Sequence, residues 1–426
     1  MNISIRAKLS VMMFLEYVIW GAWLPLLTLY LTSYVHFRGS GSGALDFTAS
    51  QTAWIMNTFA VASITAMFVG GQLADRYFSS ERFLGFSHLV GGIMMLLLPM
   101  QTHFWPFLVI MLVHCLFYVP TLSLTNAMCF ATLKDAQKDF GFVRLWGTIG
   151  WIAASTPFVI LLKNKAGAEM ATGLSYMFTI AGLASLVLAA WCLTLPHTPP
   201  SEKRQEKFAP FEAVKLLAVP SILVLFVVTY LDTLVLWCHF FWTSPFLGKV
   251  GVPNNWMSSV MSIGQIAEIG TMAALGLFLK KLGWRKTMIL GILGQVVRYS
   301  IYSIATDQMM WLVVASNIIH GVCYAFFFAS VYIFVDEHFP KDARTSAQSL
   351  FNLLILGLGP LTANPLWGWL GDHYKVSGPN ATAAEFNHLF LIPLGLAIFA
   401  TVVLFIFFHP AQKAEAQPVG SPAPAS

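Results

Sequence analysis

The sequence predicts an all-α membrane protein of twelve transmembrane helices arranged as two six-helix bundles. Three observations predict it. Hydrophobic residues make up 57% of the 426 positions and charged residues only 10%, whereas a water-soluble domain carries about a quarter of its residues charged. The apolar residues come in blocks of about 20, long enough at ~1.5 Å per residue to cross a ~30 Å hydrocarbon core. Transmembrane strands would show ~10-residue alternation instead, and that alternation is absent.

Taken in order, the predicted helices are 9–33, 48–72, 83–100, 105–131, 142–163, 171–195, 219–246, 256–279, 287–305, 310–335, 345–370 and 388–408. Arg6 and Lys8 lead straight into a first span too long for a signal-peptide core, with no small-x-small cleavage site after it. That span is expected to stay as a membrane helix. Of the 24 basic residues, only Arg38, Lys163, Lys165, Lys249 and Lys375 fall on alternate, outer segments. Arg144 and Arg298 lie within spans, and the rest fall on inner segments. This bias predicts that both termini are cytoplasmic.

The longest inner loop, 196–218, carries Pro199, Pro200 and the charged run Glu202, Lys203, Arg204, Glu206, Lys207. It divides the chain into an N-terminal six-helix bundle (1–195) and a C-terminal one (219–409). The Ala/Pro/Ser-rich tail, 410–426, has the composition of a disordered cytoplasmic segment. Cys115, Cys129, Cys192, Cys238 and Cys323 all fall inside apolar blocks without CxxC or metal spacing, and read as packing residues. No metal or other cofactor is expected. The net charge of +5 follows membrane topology and calls for no nucleic-acid partner.

The loop after the second span reads Gly71-Gln72-Leu73-Ala74-Asp75-Arg76, followed by Arg82. This segment resembles the G-x-L-A-D-R signature of the major facilitator superfamily, as does the six-plus-six layout. Asp75 and Arg76 are candidates for a cytoplasmic gate that pairs in one state and separates in the other. No P-loop is present, which argues against an ATP-driven pump, and no nucleophile-base constellation suggests an enzyme.

Ionisable residues at mid-span are costly and normally face a cavity or a partner. They are Glu16, Arg144, Asp232, Glu268 and Arg298. Arg144, Thr148 and Trp151 lie at i, i+4 and i+7 on one face of the fifth span, and Gln265 and Glu268 at i and i+3 on the eighth. Glu16, Trp20 and Trp23 share a stripe on the first. Such a mixture of carboxylate, amide, hydroxyl and aromatic rings suits a polar, ring-bearing solute. A proton-coupled carrier needs a group whose charge changes between states, and Glu268, then Glu16, then Asp232 are the candidates. His320 and Tyr324 share a face of the tenth span.

Several segments together look like the bacterial nucleoside:proton symporter family within that superfamily. They are Tyr118-Val119-Pro120-Thr121-Leu122-Ser123-Leu124-Thr125-Asn126, Arg144-Leu145-Trp146-Gly147-Thr148-Ile149-Gly150-Trp151, Trp20-Gly21-Ala22-Trp23 and Arg344-Thr345-Ser346-Ala347-Gln348. The resemblance implies a central cavity between two bundles, nucleosides imported with protons across a bacterial inner membrane, and a carrier that works as a monomer in the lipid bilayer. It maps substrate and proton handling onto Arg144, Thr148, Gln265 and Glu268, and Asn126, Trp20 and Tyr324 complete the substrate-binding candidates. Two departures stand out. The family places amides in the seventh span where this chain has Trp237 and Phe240, and an Asp after an aromatic in the tenth, where Tyr324 is followed by Ala325. Asp232 and His239 are candidate replacements. The departures leave open another polar solute, such as a sugar or glycoside, with drug efflux by antiport further off.

Overall fold

The computed structural model describes residues 4–38, 45, 47–67, 78–165, 167–199, 215–338, 341–377 and 381–409. Each of the twelve predicted spans overlaps helix among the described residues, and no strand occurs among them. The gate candidates Asp75 and Arg76, the middle of the 196–218 loop and the 410–426 tail lie outside the described residues.

The helices are α1 (Ile5–Arg38), α2 (Ala49–Thr65), α3 (Ser80–Leu97), α4 (Phe104–Thr132), α5 (Ala136–Ala153), α6 (Thr156–Leu161) and α7 (Gly167–Cys192) in the first half. The second half holds α8 (Pro220–Lys249), α9 (Met257–Tyr302), α10 (Met310–Ser316), α11 (Ile318–Cys323), α12 (Ser330–His338), α13 (Lys341–Asn352), α14 (Gly359–His373) and α15 (Ala383–Phe407). Among the described residues, nine helical stretches are long and apolar enough to cross a bilayer. One of them, Asn254–Tyr302, runs for 49 residues, about twice what a single crossing requires. It breaks at Gly283, whose φ of 73° and ψ of 174° no helix contains and only glycine adopts freely. This is where the sequence separates the eighth and ninth spans. Of the second predicted span, residues Ala49–Thr65 form a 17-residue helix. The fifth is divided between α5 and α6, with Pro157 opening the new helix.

Two further interruptions matter for the site. A π-helical turn, Tyr324–Ala329, joins α11 to α12, and another, Leu353–Leu358, joins α13 to α14. Such wide turns shift the register of the side chains that follow and recur at functional positions.

Packing within each half is close. In the first, α1 lies against α5 and α7, α3 against α4 and α7, and α2 against α4. In the second, α9 lies against α11 and α15, and α8 against α14 and α15. The halves meet through α2 on α14, α1 on α8, and α5 on α9. Glycine decides one contact at the site itself. A Cβ on Gly321 would overlap the backbone nitrogen of Glu268, so α11 lies directly on α9 where that carboxylate projects.

Candidate functional site

Where α1, α5, α8, α9 and α11 converge, a band of rings crosses from one half to the other. Tyr17 and Trp20, on α1, lie 6.3 Å apart between ring centroids. Trp20 stacks on Phe59 of α2 at 5.0 Å and 12°, and meets Trp151 of α5 edge-on at 5.3 Å. Phe59 then reaches Trp237 of α8 at 6.2 Å, Trp237 reaches Phe240 at 6.0 Å, and Phe240 meets His320 edge-on at 5.8 Å. His320 stacks on His239 at 4.3 Å.

Polar groups border this band. The Arg144 guanidinium sits 4.2 Å from the Tyr17 ring centroid, a cation–π contact that orients it. Thr148 and Trp151 follow on the same face of α5, as their spacing requires. From α9, Glu268 lies within electrostatic range of Arg144, and Tyr324 and Tyr17 lie within range of both. Arg144, Thr148, Gln265, Glu268 and Tyr324 are all half-buried. Among the described residues no ion pair joins Arg144 to Glu268. The two charges thus lie within electrostatic range of each other with no ion pair between them.

Two buried atoms of the candidate residues lack a partner. The Trp20 indole nitrogen and the Asn126 carbonyl oxygen form no hydrogen bond among the described residues, while the Asn126 amide nitrogen donates to the Leu122 carbonyl at 3.0 Å. A buried polar atom left unmet costs about 1–3 kcal/mol. A solute acceptor at Trp20 would relieve that cost.

The other membrane carboxylates are placed differently. Glu16 points away from the band into the first half. Its carboxylate faces His88 Nε2 at 2.8 Å and accepts the Thr121 hydroxyl at 2.7 Å. Tyr118 donates to the Glu16 carbonyl at 2.8 Å. The far ring nitrogen of His88 meets Ser185 Oγ at 3.1 Å, and that hydroxyl donates to the His88 carbonyl at 2.8 Å. With the serine proton committed, His88 Nδ1 must donate, so the His88–Glu16 contact holds a shared proton. Asp232 is also fully buried, but neither of its oxygens has a hydrogen-bond partner among the described residues; the Arg298 charge is its electrostatic neighbour.

Arg298 donates to Gln295 Oε1 at 2.6 Å and contacts His320 Nδ1 at 3.0 Å. A guanidinium only donates, so His320 Nδ1 accepts and its proton sits on Nε2. His239 Nδ1 contacts the Thr243 hydroxyl at 2.9 Å. The structure therefore brings Arg144, Thr148, Glu268, Trp20 and Tyr324 to one place, with His239 and His320 at its edge, and sets Glu16 and Asp232 in the packed halves. Tyr17 and Phe59 join the site without having been singled out in the sequence. Tyr17 follows Glu16 on a helix where every neighbour is apolar or aromatic, and Phe59 carries no polar signal at all.

Known proteins share this architecture. The family model described as nucleoside H+ symporter matches residues 1–413. The YegT protein of Escherichia coli (strain K12) is 32% identical over 409 residues, covering 94% of this chain and 93% of that protein. The xanthosine permease of the same organism is 27% identical over 427 residues, covering 95% and 96%. Among solved structures, the nucleoside transporter NupG superposes with a TM-score of 0.82 at 23% identity, over 96% of this chain and 100% of that one. The D-xylose-proton symporter follows at 0.72 and 14% identity, over 94% and 96%; likenesses this distant concern the fold alone. With the whole of the membrane region matched, the chain belongs to the nucleoside H+ symporter family, and is a transporter rather than an enzyme.

Proposed function

We propose that this chain carries nucleosides inward with protons through the gap between Arg144 and Glu268. The observation that supports this most directly is Glu268 itself, half-buried between the halves, within range of Arg144 and without an ion-pair partner among the described residues. Glu268 takes the coupling proton. In its protonated form it can donate a hydrogen bond to a solute oxygen or nitrogen; once ionised, it is drawn to Arg144. Arg144, Thr148, Gln265, Asn126 and Tyr324 serve the ribose hydroxyls and base edges, and Trp20 provides a stacking face. Trp237 and Phe240 bring rings rather than amides, so recognition of the base leans on stacking, worth about 1–3 kcal/mol per base.

The same reading covers the topology. The 1–195 and 219–409 bundles rock about the site, joined by the 196–218 loop, with the 410–426 tail and both termini on the cytoplasmic side of a bacterial inner membrane. Asp75 and Arg76 act as the inner gate, Asp232 is a secondary proton site, Glu16 keeps its proton shared with His88 within the first half, and a monomer suffices. The work comes from the proton gradient, at ~2.3 kcal/mol per charge per 100 mV.

The experiment is uptake of radiolabelled uridine and adenosine into proteoliposomes, with and without an imposed inward proton gradient. Gradient-dependent accumulation is expected. Folded protein that accumulates neither nucleoside, but accumulates a sugar or glycoside under the same gradient, would overturn the substrate assignment and keep the coupling.

A further inference from the structure

The first turn of a helix presents backbone N–H groups with no partner inside the helix. At the start of α2, Thr48 and Gln51 satisfy each other in a capping box, with Gln51 N–H donating to Thr48 Oγ1 at 3.1 Å and Thr48 N–H to Gln51 Oε1 at 3.0 Å. The next two N–H groups are met from the other half of the molecule. Ala49 N–H donates to Asp372 Oδ1 at 2.9 Å and Ser50 N–H to Asp372 Oδ2 at 3.0 Å, while the Ser50 hydroxyl donates to the same Oδ2 at 2.5 Å. A carboxylate is thus seated on the positive end of a helix 323 residues away in the chain.

The two helices are shaped to meet there. A Cβ on Gly371 would overlap the Trp242 ring and approach the Ala49 Cβ to 3.0 Å, and one on Gly368 would lie 2.7 Å from the Ala53 Cβ. The seam continues toward mid-membrane, where Asn364 Nδ2 donates to Asn57 Oδ1 at 2.9 Å and Asn57 Nδ2 to the Leu361 carbonyl at 3.1 Å. The sequence adds a second, independent sign. Gly368-Trp369-Leu370-Gly371-Asp372-His373 repeats the spacing of Gly71-Gln72-Leu73-Ala74-Asp75-Arg76, the one at the end of the eleventh predicted span and the other at the end of the second, which the predicted topology runs in opposite senses.

We propose that Asp372 is the gating residue that holds the outer side of the transporter shut, by capping α2 across the seam between the halves. The word "outer" rests on the topology given under Proposed function. Opening toward the outside must break three charge-assisted bonds at one point, all to a single carboxylate, so the contact makes or breaks as a unit. Asp372 touches no solute. It acts through α2, setting how often the empty carrier faces outward.

The test uses the full-length protein in right-side-out vesicles, with Phe59→Cys as a reporter in the ring band and a membrane-impermeant maleimide added outside. The native cysteines are all buried and set the background. Asp372→Ala is expected to raise the outer labelling rate several-fold, Asp372→Asn less, because one acceptor oxygen remains, and Ser50→Ala least. In uptake by the variants without the reporter, KM for outside nucleoside should fall along with kcat, whereas mere loss of folded carrier lowers kcat at constant KM. Folded Asp372→Ala protein labelled no faster than its parent, or labelled faster only from the inside, would overturn the proposal. Should Asp372→Ala fail to fold, Asp372→Asn and Ser50→Ala decide by the same criterion. Labelling is read without any solute, so its outcome stands apart from the identity of the substrate.

Discussion

Glu16 and Glu268 are both carboxylates inside the membrane, and their surroundings differ in kind. Glu16 is fully buried in the first half, met by His88 and Thr121, with Tyr118 holding its backbone carbonyl. Glu268 is half-buried at the meeting of the halves, within range of an arginine that it does not contact. A buried charge with its partners in place stabilises one arrangement of helices and resists change. A charge near an opposite charge it does not pair with can respond to a proton or a solute. Where partners are complete, the group is built to stay; where they are missing, something from outside completes them.

The largest expected effect sharpens this contrast. Glu268→Gln should abolish gradient-driven accumulation, so that internal nucleoside only equals external, while exchange across the membrane and the Tm in detergent stay near the parent's. A collapse of Tm would break the comparison, because Glu268 would then be structural. Next comes Glu16→Ala, expected to cost about 3–5 kcal/mol, since it strands the His88 side of a buried pair. Its measure is thermal unfolding followed by size-exclusion chromatography, and an unchanged profile would remove the distinction from the other side.

Smaller effects belong to the rings. Trp20→Ala should raise KM about tenfold, in line with ~1–3 kcal/mol for one stacked base, with kcat little altered; a fall in kcat with constant KM would count against a stacking role. The smallest is Tyr17→Leu. Losing a cation–π contact of about 1 kcal/mol should raise KM several-fold. Repeating it in Arg144→Gln protein should then add nothing, and a full additional effect would show that Tyr17 acts independently of Arg144.

Much of this site was legible in the sequence. Arg144, Thr148 and Trp151 recur at helical spacing in an otherwise apolar stretch, and the cost of placing an arginine in lipid makes such a residue stand out. Gln265 and Glu268 stand out for the same reason. Glu16 met that criterion equally well, yet it faces the opposite way, because its partners come from α3 and α4. Composition marks a charge as costly but cannot tell which neighbours relieve the cost. Phe59 and Tyr17 were illegible for the converse reason. In a chain with 35 phenylalanines, a ring at a cavity and a ring in lipid look the same until the helices are packed.

The sequence by itself determined the elements. Span lengths follow from bilayer thickness, their order from the apolar blocks, and the break between the eighth and ninth spans from the Gly283 region with its flanking lysines and arginines. These are local properties, set by the backbone's need to satisfy its own hydrogen bonds in lipid. Tertiary structure decided which polar groups would meet. Glu16 found His88 72 residues away, and Asp372 found the start of α2 from the far end of the chain. In the membrane interior polar side chains are few and short-ranged in their bonding, so their roles depend on which helix faces stand within about 3 Å of one another, and no single span carries that information.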